Sequence, residues 1–501
     1  MSYVLTIDAG TGGGRAIVFD LEGHLVARAY ETWHYEIGES GDLPFVRPVS
    51  FDPGAFWAVI CRCIRKVLAD GDVDAAAIGA VVTTSQREGC VFLDARGHEI
   101  YAGPNVDARG ALEGFEVQAQ IGEERLHQIT GHAPPFIFPL VRYLWFRKHR
   151  PTETVRRILM INDWIAYRLS GETCMEPSNA SESMLFDVRE RRWSSEILRA
   201  CDVPVDVLPV LREPGETMGT VTAAAAQATG LRKGTPVIVG GADTQVALLG
   251  TGAVEPGETA AIIGSTTPVQ MVLAEPVLDP AASLWTGCHI VPGLWVLESN
   301  GGDSGSAFAW LLDLLGATAT PDPYATAESW IKPRDPSMRP PHLFVGPAVF
   351  NLKNMNPYRP AGLLFPYPLM DVGRPDRGAL MRAFFENLCF AIRGNCEQIA
   401  SVAGRPVTGL RVSGGMGRGR TLLQMLADVM DGAIRVGEIA ESAGLGCAIL
   451  GAVGLGAYPG VASAAAAMVR WRTIEPQTVG SYGAQYAKWR ELYAVLDTLT
   501  I

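Results

Sequence analysis

The sequence has no run of Lys or Arg, and its formal net charge is −11 at pH 7. With a pI near 5.3, it lacks the basic face that phosphate backbones demand, so no nucleic-acid partner is expected. It also lacks a metal-binding cysteine set. The nine cysteines are scattered, Cys61 and Cys63 form the only close pair, and no CxxC spacing or neighbouring His completes a site. A reduced, cytoplasmic compartment with mostly buried thiols is the expectation. The residues Met1–Asp8 show no basic stretch followed by an apolar core, the pattern of a secretory signal. Charge is sparse overall, at 19% against 48% hydrophobic residues, a balance that argues against disorder. It vanishes altogether from Ser442 to Val469. That stretch exceeds the roughly 20 residues a membrane span needs. However, Gly444, Gly446, Gly451, Gly454 and Gly456 crowd it and Pro459-Gly460 breaks it. A buried Ala/Gly helix is expected there, not a membrane segment.

What is present is enough apolar material for two cores. A chain of 501 residues exceeds the roughly 250–300 at which a single core stops growing. The opening reads as strand Tyr3–Asp8, glycine turn Ala9–Gly14 and strand Ala16–Asp20, with a third strand at Leu25–Tyr30. Helical spacing follows at Phe56–Leu68, a β-branched strand at Ile78–Thr84, a short strand at Val91–Leu93, and helices at Ala108–Ile121 and Pro139–Lys148. The same grammar returns later. Pro236–Val239 runs into Gly240-Gly241, Thr259–Ile263 into Gly264-Ser265-Thr266, and Gly409–Val412 into Ser413-Gly414-Gly415. Two related α/β domains with a cleft between them are expected, residues 1–248 and 249–501. The Pro-rich stretch Pro321–Pro347 reads as a surface excursion.

The chemistry-bearing residues gather at those turns. Asp8-Ala9-Gly10-Thr11-Gly12-Gly13-Gly14-Arg15 delivers a carboxylate into bare backbone N–H groups that suit an anion, with Thr11 adding a hydroxyl and Arg15 a cation. Asp8 suits Mg²⁺ at a triphosphate; a glycine hairpin with Asp8 as turn cap is the plainer alternative. The loop is neither a Walker motif nor a dinucleotide fingerprint. Asp243, after Gly240-Gly241-Ala242, suits the acceptance of a hydroxyl proton in phosphoryl transfer and a share in holding the metal, or else a helix N-cap. Gly264, Ser265 and Thr266 offer donors to a β- or γ-phosphate. Gly414, Gly415 and Met416 form a turn against which adenine or an α-phosphate could lie. Gln86, Arg87 and Glu88, with Asn105 and Asp107 and with Gln245 beside Asp243, supply the donors and acceptors that vicinal hydroxyls need, or a set of surface salt bridges. Together they describe an ATP- and Mg²⁺-dependent kinase for a small sugar or polyol. A non-catalytic ATP-binding sensor or a sugar-binding pseudokinase is the rival. A homodimer is the expectation from soluble enzymes generally.

The pattern resembles the FGGY family of carbohydrate kinases, on the actin/Hsp70-like (ribonuclease H-like) ATPase fold. The resemblance runs from Asp8-Ala9-Gly10-Thr11 and Arg15 through Asp163-Trp164, Leu169-Ser170-Gly171, Ser178-Asn179-Ala180-Ser181, Asp187, Trp193 and Gly241-Ala242-Asp243 to Ser413-Gly414-Gly415 and Gly444–Ala448. It implies that Asp243 is the general base, that Asp8 helps place Mg²⁺ and that the glycine turns hold ATP. Arg87-Glu88-Gly89 and Asn105–Arg109 look most like autoinducer-2 kinases, whose acceptor is a five-carbon open-chain hydroxyketone. Xylulokinases usually carry a Met-His pair at Arg87-Glu88, and a Gln-Arg-Glu run occurs also in glycerol kinases. The family's second signature is degraded at Pro360-Ala361-Gly362-Leu363, while Arg377, Leu380–Ala383 and Glu386 downstream remain.

Overall fold

A computed structural model describes residues 2–39, 46–332, 341–349, 351, 359–365 and 375–499. Residues 333–340 of the Pro-rich stretch lie outside the described residues; before them Pro323–Ser329 is a helix capped by Asp322. The chain forms two compact units. The first comprises Met1–Pro256, Val272–Val296 and Glu441–Val469, and the second Gly257–Met271, Leu297–Ala440 and Arg470–Ile501. Against the expected single division after residue 248, two late segments thus join the first unit.

The first unit is built on a six-stranded sheet ordered Thr217–Thr220, Pro236–Ala242, Ile78–Ser85, Tyr3–Ala9, Gly13–Asp20, Leu25–Thr32. Continuous Val/Ile/Leu runs make the central strands buried on both faces, as parallel strands require. Tyr3–Ala9, Ile78–Ser85 and Pro236–Ala242 run parallel, with Ala9 and Ala242 both in register with Ser85. Three strands therefore end level, and the segments leaving them emerge side by side. Outside them packs the helix Pro53–Asp70, started by Asp52, whose Oδ1 accepts the N–H of Ala55 at 2.6 Å. It buries Phe56, Ile60, Ile64 and Val67 in the same core as Val18 and Trp33.

Gly240 and Gly241, expected as a turn, are buried within the strand Pro236–Ala242. A Cβ on Gly240 would lie 1.8 Å from the carbonyl oxygen of Thr83, so glycine here serves the close approach of two strands rather than a bend. The charge-free stretch folds as two helices, Ser442–Gly454 and Val461–Met468. The former lies against the central strands and against the helix Asp243–Gly250. The approach is close enough that a Cβ on Gly446 would meet the Val246 carbonyl oxygen at 2.0 Å. No helix among the described residues is long and apolar enough to cross a membrane.

The second unit repeats the scheme. Its strands run in the order Trp295–Asp303, Thr266–Leu273, Thr259–Ile262, Arg411–Ser413, Ile434–Gly437, Trp471–Ile474. Thr259–Ile262 and Arg411–Ser413 are parallel, with Ile262 opposite Ser413. The long helix Arg377–Ala403 carries Phe384, Leu388, Ile392 and Ile399 into this unit's core. It begins at Asp376, whose carboxylate caps Ala379 N, and stops at Gly404 in the left-handed region, φ 65°.

Candidate active site

Each of the three level strand ends carries part of the site. From Tyr3–Ala9 issues the glycine loop, closed by Gly10 N–H on the Gly13 carbonyl at 3.1 Å. Asp8 is buried, and Arg15 Nη1 donates to its Oδ2 at 2.8 Å. Burial raises the Asp8 carboxyl above its ordinary value, Arg15 opposes that, and the charge of Glu441 reinforces it. The Thr11 carbonyl accepts from Trp33 Nε1 at 3.2 Å and from the Tyr35 hydroxyl at 2.6 Å, which fixes the loop from outside.

From Ile78–Ser85 issues Gln86-Arg87-Glu88. Glu88 has φ 57°, a left-handed conformation that costs a non-glycine residue about 1–3 kcal/mol and marks functional turns. Fully buried Arg142 supports the turn. It donates to the backbone carbonyls of Glu88 (2.8 Å), Asp107 (2.9 Å) and Asn105 (3.2 Å). Arg87 lies buried between Glu182 Oε1, 3.3 Å from its Nη1, and Glu88 Oε1, 3.8 Å from its Nε, over the ring of Trp285. Burial lifts the Glu88 carboxyl well above its usual range. Arg87 counteracts this, while Glu182 and Asp243 push the same way as burial. Glu88 is thereby biased toward a neutral acid that can donate a hydrogen bond.

From Pro236–Ala242 issues Asp243, half-buried at the first turn of the helix Asp243–Gly250. Its Oδ1 accepts Thr244 N–H at 2.7 Å, and its charge reaches Glu88. Behind it Ala242 N–H donates to Ser178 Oγ, itself held by Glu176 Oε1. Gln245 is buried, with Nε2 on Glu182 Oε1 at 3.2 Å.

The first unit thus brings Asp8, Thr11, Arg15, Gln86, Arg87, Glu88, Asn105, Asp243 and Gln245 together, in differing roles. Gln86 ties the glycine loop to the segment of Asn105, donating from Nε2 to the Gly10 carbonyl (3.3 Å) and the Tyr35 hydroxyl (3.0 Å) while Oε1 accepts Asn105 N–H (3.0 Å). Asn105 Nδ2 donates to Thr11 Oγ1 at 3.2 Å, and its buried Oδ1 has no partner, an acceptor left for a ligand. Asp107 stands apart from the expected acceptor set. It is fully buried, its carboxylate taken by the Tyr101 hydroxyl (2.5 Å), Arg109 Nε (2.7 Å) and Val49 N–H (3.0 Å), so it braces the loop instead of facing a ligand. The sequence reading missed Glu182, His132, Arg142 and Trp285. Only Glu182 had a nearby signal, following Ser178–Ser181 directly.

In the second unit, Gly264–Thr266 is a tight turn with Gly264 N–H on the Thr266 carbonyl at 3.0 Å and Ser265 and Thr266 exposed. Gly414 has φ 100°, and a Cβ there would lie 2.4 Å from the Ile263 carbonyl oxygen. Gly415 has open space around it. Met416 is buried, with its N–H on the Ile263 carbonyl, so of this turn Gly415 is the open surface.

A carboxylate at the end of a parallel strand, repeated glycine turns and two sheets of one plan define a phosphotransferase on the ribonuclease H-like ATPase fold. The model of the FGGY family of carbohydrate kinases matches in both its parts, the N-terminal domain over residues 3–250 and the C-terminal domain over 259–455. The chain belongs to the FGGY family of carbohydrate kinases. Among its relatives, the autoinducer-2 kinase of Salmonella typhimurium is 33% identical, covering 98% of this chain and 94% of that protein. The autoinducer-2 kinase of Yersinia enterocolitica is 33% identical over 100% and 95%. The fold is shared with xylulose kinase from Rhodospirillum rubrum (TM-score 0.81, 23% identity, 99% of each chain). It is shared also with Plasmodium falciparum glycerol kinase with ADP (TM-score 0.78, 18% identity, 100% and 99% covered). The enzyme is a kinase that phosphorylates a sugar.

Proposed function

We propose that this kinase is a cytoplasmic, ATP- and Mg²⁺-dependent enzyme for a five-carbon ketose or open-chain hydroxyketone of the autoinducer-2 or xylulose kind. The observation that carries the reading is the meeting of Asp243, the Arg87-Glu88 turn and the Asp8 loop at three neighbouring strand ends. Relatives a third identical over nearly their whole length are autoinducer-2 kinases, and all nine cysteines are free and buried, as in a reducing compartment. Asp243 takes the proton of the acceptor hydroxyl as its oxygen bonds to the γ-phosphorus, and the bond to the ADP oxygen breaks. Arg87 donates to the acceptor's oxygens and Asn105 Oδ1 accepts from its hydroxyls. Glu88, as an acid, donates to a carbonyl or hydroxyl oxygen.

Asp8 and Asp243 would hold the metal, which supplies charge neutralisation at the β- and γ-oxygens when bound. Among the described residues no group of three or more His, Cys, Asp or Glu forms an all-protein cage. That fits Mg²⁺, which takes one or two carboxylates and completes its shell with water and phosphate. The glycine turns at 264–266 and 414–415 offer backbone donors to the nucleotide.

The test is Mg²⁺-dependent ADP release with the autoinducer-2 precursor, D-xylulose, D-ribulose, glycerol or erythritol, against a no-acceptor control. Stimulation by the first or second compound is expected. Stimulation by glycerol or erythritol alone would move the assignment to polyols. ATP binding without acceptor-stimulated turnover would replace it with a sensor.

A further inference from the structure

Glu182 is an acid with almost no contact with solvent, placed directly after the helix Pro177–Ser181. Its Oε1 faces Arg87 Nη1 at 3.3 Å and Gln245 Nε2 at 3.2 Å, and its Oε2 faces His132 Nε2 at 3.3 Å. Arg87 leaves the Ile78–Ser85 strand with Glu88, and Gln245 lies two residues beyond Asp243. One carboxylate therefore grips both the acceptor turn and the helix that carries the base. His132 closes the far side. Its Nδ1 lies 2.9 Å from the Thr130 carbonyl, which can only accept, so that nitrogen carries a proton. Nε2 lies 3.3 Å from Oε2, a buried carboxylate oxygen with no hydrogen-bond partner of its own, so the ring is the polar group nearest to it on that side. Burial pushes the Glu182 carboxyl up, but Arg87 and His132, aided by Gln245, bring it down to about 2.

Such a buried array is a poor way to gain stability, since desolvating charges offsets most of their attraction and apolar residues would serve as well. It is a good way to fix two side chains at once. Arg87 sits nearer Glu182 (3.3 Å) than Glu88 (3.8 Å). Without the Glu182 charge, Arg87 would turn to Glu88, and both groups would be lost to the acceptor.

We propose that Glu182, held by His132, is a positioning residue for the acceptor, keeping Arg87 and Gln245 aligned from behind the site while touching no substrate itself. This rests on the reading of Arg87 and Glu88 as the acceptor-binding pair.

The test is steady-state kinetics on Glu182→Gln, Glu182→Asp and His132→Gln, using whichever panel acceptor the wild-type enzyme phosphorylates, with thermal melts alongside. Glu182→Gln should raise the KM of the acceptor by roughly 10–100-fold and leave the KM of ATP and acceptor-free ATP hydrolysis within about twofold. Glu182→Asp should recover part of the loss, and His132→Gln should raise the acceptor KM by roughly 3–10-fold. If Glu182→Gln does not fold, the Asp and His132 variants decide by the same split. An acceptor KM within about twofold of wild type, or equal losses for acceptor and ATP, would overturn the proposal while leaving the kinase reading intact. A wild-type enzyme that no acceptor stimulates would defeat that reading, and this inference with it.

Discussion

On the roles proposed above, the two units would meet their ligands with different materials. The first uses buried polar and charged side chains, Arg87, Glu88 and Gln245, supported from behind by Glu182, Arg142 and Asp107. The second uses backbone: the Gly264–Thr266 turn and the Gly414-Gly415 pair, where the absence of a Cβ makes the surface. Side chains read individual hydroxyls and carbonyls through directed donors and acceptors, and reject a compound that leaves one unpaired. Backbone amides read negative charge or a flat ring and are indifferent to most else. Acceptor choice should therefore change with substitutions at Arg87, Glu88 and Asn105, and nucleotide affinity with substitutions at the glycine turns, Gly414 and Gly415 among them.

The largest expected effect is at Asp243. Asp243→Ala should lower kcat by about 10²–10⁴-fold with the melting temperature little changed, because a half-buried first-turn residue contributes little to packing. Turnover within tenfold of wild type would remove it as the base. Next comes the acid limb of stability. Unfolded, Glu182 titrates near 4.5, and folded near 2, so between those values only the unfolded chain takes up the proton. Stability from this group is complete above about pH 4.5 and lost as pH falls toward 2. Glu182→Gln should show a shallower decline of urea-melt stability over that window; an unchanged slope would mean the ion pairs are absent in solution.

In the second unit Gly414→Ala should cost roughly 1–2 kcal/mol, since φ 100° and the Ile263 carbonyl at 2.4 Å both oppose a methyl. Calorimetry showing no loss would mean the turn remodels freely. The smallest effect is at its neighbour. Gly415→Ala should alter stability by no more than about 0.5 kcal/mol, because nothing lies within 4 Å of the added carbon. A raised KM for ATP would then report crowding by the nucleotide alone, and an unchanged KM would move the nucleotide off this turn.

Much of this was legible in the primary structure because the strands are short apolar runs that give way to polar residues or glycine. Tyr3–Ala9, Ile78–Ser85 and the turn at Gly264 follow from local pattern alone. The Gly240-Gly241 pair misled because glycine marks close approach as readily as a bend, and only the neighbouring Thr83 carbonyl distinguishes the two. Asp107 misled because a carboxylate in a polar loop looks the same whether it meets a ligand or is consumed by Tyr101, Arg109 and Val49. Arg142 was invisible, and the role of Glu182 hidden despite its place beside Ser178–Ser181, for a related reason. Their partners lie 35 to 95 residues away along the chain, and no local spacing announces such a meeting.

The helix Ser442–Gly454 has a bearing on how the protein is made. It presses into the core of a unit whose main body ends at Pro256. During synthesis the strands that carry Asp8, Arg87 and Asp243 leave the ribosome long before the helix that covers them. At about 5–20 residues per second they wait for roughly ten seconds or more with that apolar face uncovered. A nascent chain halted before residue 442 would expose a sticky seam and be a natural client for chaperones, and a shortened gene ending there would yield aggregate in place of half an enzyme.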